Sequence, residues 1–189
     1  MANRLTKITT RGGDGGETSL SDGARVAKDE PRIELLGEID ELNSWIGVVR
    51  DHDPAPIVDG LLEGIQHDLF DLGGAMSFPG APLLSEAHIA RLEKAAEALN
   101  EPLPPLKEFI LPGGSPLISW LHIARTTARR VERRMAAHAR EDANGKFALQ
   151  YLNRLSDYLF IAARAEARRL GVNEIYWRKE ASIGGAGDG

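Results

Sequence analysis

Hydrophobic residues recur at spacings of three and four along most of the chain, which is typical of helices with one buried face. The first such stretch follows Pro31, and Pro54 and Pro56 close it. Proline suits the first turn of a helix and cannot continue an interior one, so these positions predict the start and the limit of a first helix. Its apolar positions are Ile33, Leu36, Ile39, Leu42, Ile46 and Val49.

Four further helices are predicted after the first. They cover residues 57–76, about 85–100 with Ser85 as N-cap, about 115–138, and about 146–170 with Gly171 as a C-terminal stop. Residues 101–116 are rich in proline and predict an irregular connection, and only 175–177 has a strand-like pattern. Long helices with short connections predict an all-α fold, a five-helix antiparallel bundle.

The chain is predicted to be one domain of 1–189, in which a bundle spans 30–171 and a tail spans 172–189. Residues 1–29 precede the bundle and are polar and rich in glycine, so they cannot form a regular helix. One interpretation is a disordered tail. The other is a phosphate-binding segment, because glycines let successive backbone N–H groups turn toward an anion. Neither GxxxxGK[ST] nor GxGxxG after a strand occurs.

The fourth predicted helix is rich in arginine. At 100° per residue its core stripe contains Leu117, Leu121, Ala124, Ala128, Val131 and Met135. Beside this stripe lie Arg125, Arg129, Glu132 and Arg133, with His122 next to them. Arg130 and Arg134 fall on the opposite side and are expected to be solvated. A partly buried arginine needs a carboxylate or a phosphate, so this strip favours an anion site over a merely solvated face.

Polar residues on two other helices add to this picture. On the fifth helix Leu152, Leu159, Ala163 and Leu170 are expected in the core, and Asn153, Asp157, Phe160 and Arg164 form a flanking strip. Asn153 could recognise ribose or phosphate, or belong to an interhelical polar network. On the first helix Asp40 shares a face with apolar residues and needs a partner. Arg125 is a candidate, within the chain or across a subunit boundary.

Composition excludes several classes of function. The chain has no cysteine, so disulfides, cysteine-ligated zinc and thiol catalysis are excluded. The net charge of -5 argues against nonspecific nucleic-acid binding. No histidine follows a glutamate by three residues and no His-Glu-x-x-His exists, so no metal-ligand residue is expected. Mg²⁺ held mainly by nucleotide phosphates stays open. With no membrane-length apolar stretch and no signal peptide, we expect a cytoplasmic protein.

Several segments together resemble one family, the PduO-type ATP:cob(I)alamin adenosyltransferases. They are residues 6–8 (TKI), 10–18 (TRGGDGGET), 28–29 (KD), 32 (R), 37–43 (GEIDELN), 109–114 (FILPGG), 121–125 (LHIAR), 129–133 (RRVER) and 151–160 (YLNRLSDYLF). They occur in the family's order and cover nearly the whole chain, although 54–108 carries little of the likeness. Gly12 departs from the threonine or other polar residue that the family usually has, which removes one side-chain contact and leaves the backbone intact.

The resemblance implies a function and a set of site residues. It implies a homotrimer with active sites between subunits, which transfers the 5′-deoxyadenosyl group of ATP to cob(I)alamin with Mg²⁺. The residues implied to hold ATP are Thr10, Arg11, Gly12, Gly13, Thr18, Ser19, Lys28, Arg129, Arg130, Glu132, Arg133 and Asn153. The catalytic residues implied are Phe109, Arg125, Asp40 and Arg129. Phe109 would lie beneath the corrin ring, and Asp40 and Arg125 would form a salt bridge across the interface. A reductase and a B12-dependent acceptor enzyme are the further partners implied.

Two other functions fit part of the pattern. A nucleotide-binding bundle without transferase activity, for regulation or B12 delivery, would share the ATP residues. A purely structural assembly module would leave the glycine-rich segment unexplained. A measurement of cobalamin conversion separates the first from the enzyme, and a measurement of ATP binding tests the second.

Overall fold

The protein is described from a computed structural model, which covers residues 9, 11–78, 84–140, 145–179 and 181. In this part of the chain a short hairpin precedes five helices. The elements are β1 (Glu17–Ser19), β2 (Arg25–Ala27), α1 (Pro31–Arg50), α2 (Pro56–Ser77), α3 (Glu86–Asn100), α4 (Pro116–His138) and α5 (Gly145–Arg169). The all-helical bundle predicted from the sequence is confirmed.

The helix boundaries follow the capping signals in the sequence. The Ser85 side chain and the His88 ring form a reciprocal capping box at the start of α3. At the start of α4, the Ser115 hydroxyl accepts a hydrogen bond from the Ile118 N–H. Gly171 has a φ of 66°, a left-handed conformation suited to the end of α5. These caps explain why predicted and observed limits agree closely.

The helices pack in the spatial order α2, α1, α4, α5, α3. The predicted core stripe of α4 is buried in full, and Leu152, Leu159 and Ala163 of α5 are buried as expected. Leu170 was expected in the same stripe, and that prediction is wrong, because α5 ends at Arg169 and Leu170 remains 43% exposed. Trp45 of α1 stacks on Trp120 of α4 with ring centroids 5.4 Å apart.

A buried polar cluster attaches α3 to the bundle. The carboxylate of Asp68 on α2 is 4% exposed and accepts hydrogen bonds from the Tyr151 hydroxyl on α5 and from Arg91 on α3. Burial and the nearby Asp68 charge raise the pKa of Tyr151 well above its usual value, so the phenol stays protonated and donates. The cluster therefore joins three helices, and the buried carboxylate and phenol in it are both hydrogen-bonded.

The hairpin was not predicted. β1 and β2 pair antiparallel, with Thr18 opposite Val26, and Gly23 in the connection has a φ of 86°. Strands of three residues are too short to show an alternating pattern, which explains why periodicity missed them. The turn is fixed to the end of α2, because the Ser21 N–H donates to the Ser77 carbonyl at 3.2 Å.

The segment 175–177, predicted as strand-like, contributes a single bridge between Tyr176 and Ile110. Within the described ranges, no helix is long and apolar enough to cross a membrane.

Candidate active site

The arginines of α4 fall into two groups. Arg130 forms ion pairs with Glu38 and Glu41 of α1, and Arg134 forms ion pairs with Glu34 and Glu38. They lie away from the polar strip, as the helical wheel predicted, but they are ion-paired with α1 rather than merely solvated. A helical wheel assigns each residue to a face of the helix but does not show which element packs against that face. The ion pairs with α1 therefore could not be predicted from the sequence of α4.

The other group faces a cleft between α4 and α5. The cleft has a volume of about 620 Å³ and is lined by Arg129, Glu132, Arg133, Ala136, Leu149, Gln150, Asn153 and Arg154. Within the described part of the chain, neither Arg129 nor Arg133 has a carboxylate within ion-pair distance. Two exposed guanidinium groups without an internal counter-ion favour binding of an anion.

Asn153 is held at both ends of its amide in this cleft. Its Nδ2 donates to Glu132 Oε1 at 2.9 Å, and its Oδ1 accepts from Arg154 Nη1 at 2.7 Å. Arg154 in turn donates from Nε to Glu93 of α3 at 2.7 Å. Asn153 thus both lines the cleft and joins an interhelical network, so the two alternatives for it are not exclusive. Arg154 was not identified from the sequence, because nothing in the helical pattern marks its partner on α3.

The glycine-rich segment and Lys28 come together. The Lys28 N–H donates to the Gly16 carbonyl at 2.9 Å, and its Nζ lies 2.9 Å from where a Cβ on Gly13 would be. Arg25 donates from Nη2 to the Gly12 carbonyl at 2.9 Å. Arg11 has a φ of 59° and begins this turn. The turn and a cationic side chain therefore form one unit, as a phosphate-binding segment requires.

Other predicted residues of this segment are less constrained. Thr18 is half-buried on β1, and Ser19 is exposed and accepts a hydrogen bond from Arg25 Nη1 at 3.4 Å. Thr10 lies outside the described residues. No described residue of the glycine-rich segment lines the α4–α5 cleft. The two predicted halves of the nucleotide site are thus separate surfaces of a single chain.

Phe109 lies on an exposed apolar face. The Trp177 N–H donates to the Phe109 carbonyl at 2.7 Å, and the Leu111 N–H donates to the Ile175 carbonyl at 2.8 Å. Opposed residues of an antiparallel pair project to one side, so these four side chains share a face. All four are exposed, and Phe109 is 78% exposed. Behind this face lies a cavity of about 260 Å³ whose lining includes Gly114, His122 and Arg164.

Arg125 lies beside this cavity, on the α4 turn before Arg129. Its Nε donates to His122 Nδ1 at 3.3 Å, and its guanidinium carbon lies 6.0 Å from the centre of the Phe160 ring. Burial, and secondarily the charge of Arg129, lower the pKa of Arg125. A nearby anion would stabilise the charged guanidinium and so raise the pKa of Arg125 again. Among the described residues no ion pair joins Arg125 to Asp40, which is exposed on α1.

Arg164, predicted in the strip that flanks the α5 core, is buried beside the cavity. It is 5% exposed and donates to Glu174 Oε1 at 2.7 Å and to the Pro104 carbonyl at 2.8 Å. It thereby ties the segment after α5 to the proline-rich connection. In the described portion of the chain, no three His, Asp or Glu side chains group as a metal site.

Comparisons with known proteins show the family to which this chain belongs. A family model described as Cobalamin adenosyltransferase matches residues 8–166. A cobalamin adenosyltransferase of Cupriavidus metallidurans is 47% identical over 181 residues, covering 95% of this chain and 98% of that protein. A corrinoid adenosyltransferase of Bacillus subtilis is 42% identical over 184 residues, covering 94% of this chain and 95% of that protein.

A solved structure agrees in fold as well. A variant PduO-type ATP:corrinoid adenosyltransferase from Lactobacillus reuteri, complexed with cobalamin and ATP, superposes with a TM-score of 0.84. Its sequence is 34% identical to this one, and the match covers 92% of this chain and 100% of that chain. The family match spans the glycine-rich turn, the arginine cleft and Asn153 alike. This chain belongs to the cobalamin adenosyltransferase family.

Proposed function

We propose that this protein transfers the 5′-deoxyadenosyl group of ATP to the cobalt of cob(I)alamin, forming adenosylcobalamin and releasing triphosphate. The observation that carries the proposal is the α4–α5 cleft, where Arg129 and Arg133 have no carboxylate partner among the described residues and Asn153 is fixed between Glu132 and Arg154. Such a cleft suits a polyanionic nucleotide.

The chemistry needs little from the protein beyond positioning and charge. The Co(I) electron pair attacks the 5′ carbon, a cobalt–carbon bond forms, and the carbon–oxygen bond breaks with its electrons leaving on triphosphate. No protein acid, base or nucleophile is required. Arg129, Arg133, Lys28 and the amides of the glycine-rich turn stabilise the leaving triphosphate. Arg11, Gly12, Gly13, Thr18 and Ser19, together with Thr10, Glu132 and Asn153, complete the proposed ATP contacts. Arg130, which the resemblance also implied, is left out, because it pairs with Glu38 and Glu41 of α1 and does not line the cleft.

Mg²⁺ is part of this proposal. The ion would neutralise charge on the triphosphate, and the phosphates would supply most of its ligands, since magnesium needs few from protein. Glu132 is the carboxylate that the described cleft offers near such an ion. Its bond to Asn153 would keep it oriented.

The corrin would bind against the exposed apolar face that carries Phe109. A hydrophobic side chain there would exclude water and the lower axial ligand from cobalt, which makes cob(II)alamin easier to reduce. The protein would act as a homotrimer in which the glycine-rich turn of one subunit completes the cleft of the next, with Asp40 and Arg125 paired across that boundary. In the cytoplasm, a reductase would supply cob(I)alamin and a B12-dependent enzyme would accept the product.

The direct test is an anaerobic absorbance assay with ATP, Mg²⁺ and chemically reduced cobalamin. We expect a light-sensitive adenosylcobalamin spectrum only when protein and ATP are both present. One control omits ATP. A second control replaces ATP with an analogue whose 5′ carbon–oxygen bond cannot be broken by the attacking cobalt. ATP binding by calorimetry without product formation would contradict the transferase and support a nucleotide-binding bundle. Absence of both would support a structural assembly module.

A further inference from the structure

His122 is the buried polar side chain next to Arg125. It is 4% exposed on α4, and its Nδ1 accepts the hydrogen bond from Arg125 Nε at 3.3 Å. An accepting Nδ1 has no proton, so the neutral ring carries its proton on Nε2. The His122 ring also lies 6.3 Å from the Phe160 ring, which the Arg125 guanidinium approaches at 6.0 Å. The three side chains form one cluster between α4 and α5.

We propose that His122 is a positioning residue that fixes the direction of the Arg125 guanidinium. The inference rests on the proposed function, in which Arg125 pairs with a carboxylate outside its own chain. A bond at Nε fixes the plane of the guanidinium and leaves both terminal nitrogens available for a bidentate contact. The ring of Phe160 limits the same guanidinium from a second side.

The His122 ring is suited to remain neutral and to accept the hydrogen bond from Arg125 at Nδ1. Burial, and secondarily the charge of Arg125, lower the pKa of His122 to about 4. A protonated ring would have no lone pair at Nδ1 and would repel Arg125. At neutral pH the bond to Arg125 is therefore retained, and the ring acts as a fixed support and not as a proton donor to substrate.

Two substitutions of similar polarity show whether His122 orients Arg125 through its hydrogen bond or only fills buried space. In His122→Asn the amide oxygen occupies the place of Nδ1, whereas in His122→Gln the polar atoms lie one bond further out. We expect His122→Asn to keep kcat/KM for reduced cobalamin within about threefold and His122→Gln to lower it roughly tenfold, the loss of one hydrogen bond to a charged group. The KM for ATP should change by less than about twofold in both. Thr127→Val, a buried change elsewhere on α4, is the matched control.

A double-mutant cycle with Arg125→Ala tests the link directly. If His122 acts through Arg125, then His122→Gln causes no further loss in an Arg125→Ala background. Equal losses in both backgrounds, or equal effects of the asparagine and glutamine variants, would overturn the proposal. Thermal unfolding of each variant shows whether a lost activity reflects lost structure.

A spectroscopic readout keeps this inference separate from the proposed function. Nitrogen-15 NMR of the intact protein should show an unprotonated His122 Nδ1 whose signal shifts in Arg125→Ala. A proton on Nδ1 would contradict the positioning role even if adenosylation is observed. A wild-type protein without turnover, but with the expected Nδ1 signal, would contradict the proposed function and leave the His122–Arg125 contact established.

Discussion

At the scale of single residues, the distinction that matters is between charges that pair within the chain and charges left for a ligand. Arg130 and Arg134 pair with carboxylates on α1 and hold two helices together. Arg129 and Arg133 face the cleft without such partners among the described residues. Exposed ion pairs contribute about 0–1 kcal/mol each, so the paired arginines are of modest consequence while the cleft arginines bear on ligand binding.

Arg129→Ala should weaken ATP handling far more than Arg134→Ala. Removing a cation that contacts the triphosphate should raise the KM for ATP and lower kcat, together reducing kcat/KM for ATP by roughly tenfold or more. Arg134, exposed and paired with Glu34, is the matched arginine and should stay within about twofold of wild type. Steady-state kinetics at saturating cobalamin make the comparison. Similar effects of the two substitutions would contradict the cleft as the triphosphate site.

Phe109→Ala should slow the reaction that starts from cob(II)alamin. Losing the exposed ring should readmit water to the lower face of cobalt and make reduction harder, with a rate loss of roughly tenfold or more. The KM for ATP should be unaffected, because Phe109 lies on a different surface from the cleft. Phe70→Ala is the matched control, since Phe70 is 69% exposed on α2. An unchanged rate under a fixed reductant would show that the aromatic face has another role.

At the scale of elements, the segment from Phe109 to Gly114 depends on close contact with the chain after α5. Gly114 has a φ of 116°, and a Cβ built on it would lie 2.6 Å from Val172 Cγ1. A separation below 3.0 Å requires the Val172 side chain or one of the two segments to shift. The glycine therefore permits the close approach that brings Phe109 and Trp177 to one face.

Gly114→Ala should displace this pairing, and Gly113→Ala should do so less. Both glycines have positive φ, but a Cβ on Gly113 would meet nothing within 4 Å. Backbone strain alone costs about 1–3 kcal/mol, and the clash with Val172 adds to it only at Gly114. Chemical denaturation measures the loss of stability, and cobalamin affinity measures the displacement of the segment that carries Phe109. Equal losses in the two variants would show that the positive φ of the glycines matters and that the close approach of Gly114 to Val172 does not.

At the scale of the whole molecule, the predicted nucleotide residues occupy two surfaces that a single chain does not bring together. The glycine-rich turn packs on Lys28, and the hairpin that follows it is attached to the end of α2 through Ser21, while the arginine cleft lies between α4 and α5. Asp40 likewise has no ion pair with Arg125 among the described residues. The proposed trimer, in which neighbouring subunits would supply complementary halves of the site, would account for both separations.

Subunit complementation tests this arrangement. Asp40→Ala and Arg125→Ala should each be strongly impaired alone. When the two variants are co-expressed as mixed oligomers, some boundaries combine an intact Asp40 with an intact Arg125, so part of the activity should return. Mixing the purified variants without subunit exchange is the control, and sedimentation velocity checks that a trimer is present. No recovery in mixed trimers would contradict a pair across the boundary.

The sequence by itself determined the helices and the identity of the polar groups. Spacings of three and four indicated the helices, and Pro31, Ser85 and Gly171 marked ends, because capping and proline effects are local. The motif residues likewise identified the family before any geometry was known. The strands β1 and β2 escaped detection, because three-residue strands are stabilised by pairing and not by their own pattern.

Only the tertiary structure decided which side chains meet. A helical wheel assigns Arg129 and Arg130 to different sides of α4, but the packing of α1 against α4 is what gives Arg130 its carboxylates and leaves Arg129 facing the cleft. Packing between α4 and α5 placed His122 against Arg125 and Phe160. Contacts between residues far apart in the chain depend on how whole helices dock. A local pattern of hydrophobicity specifies the face that docks and not its partner.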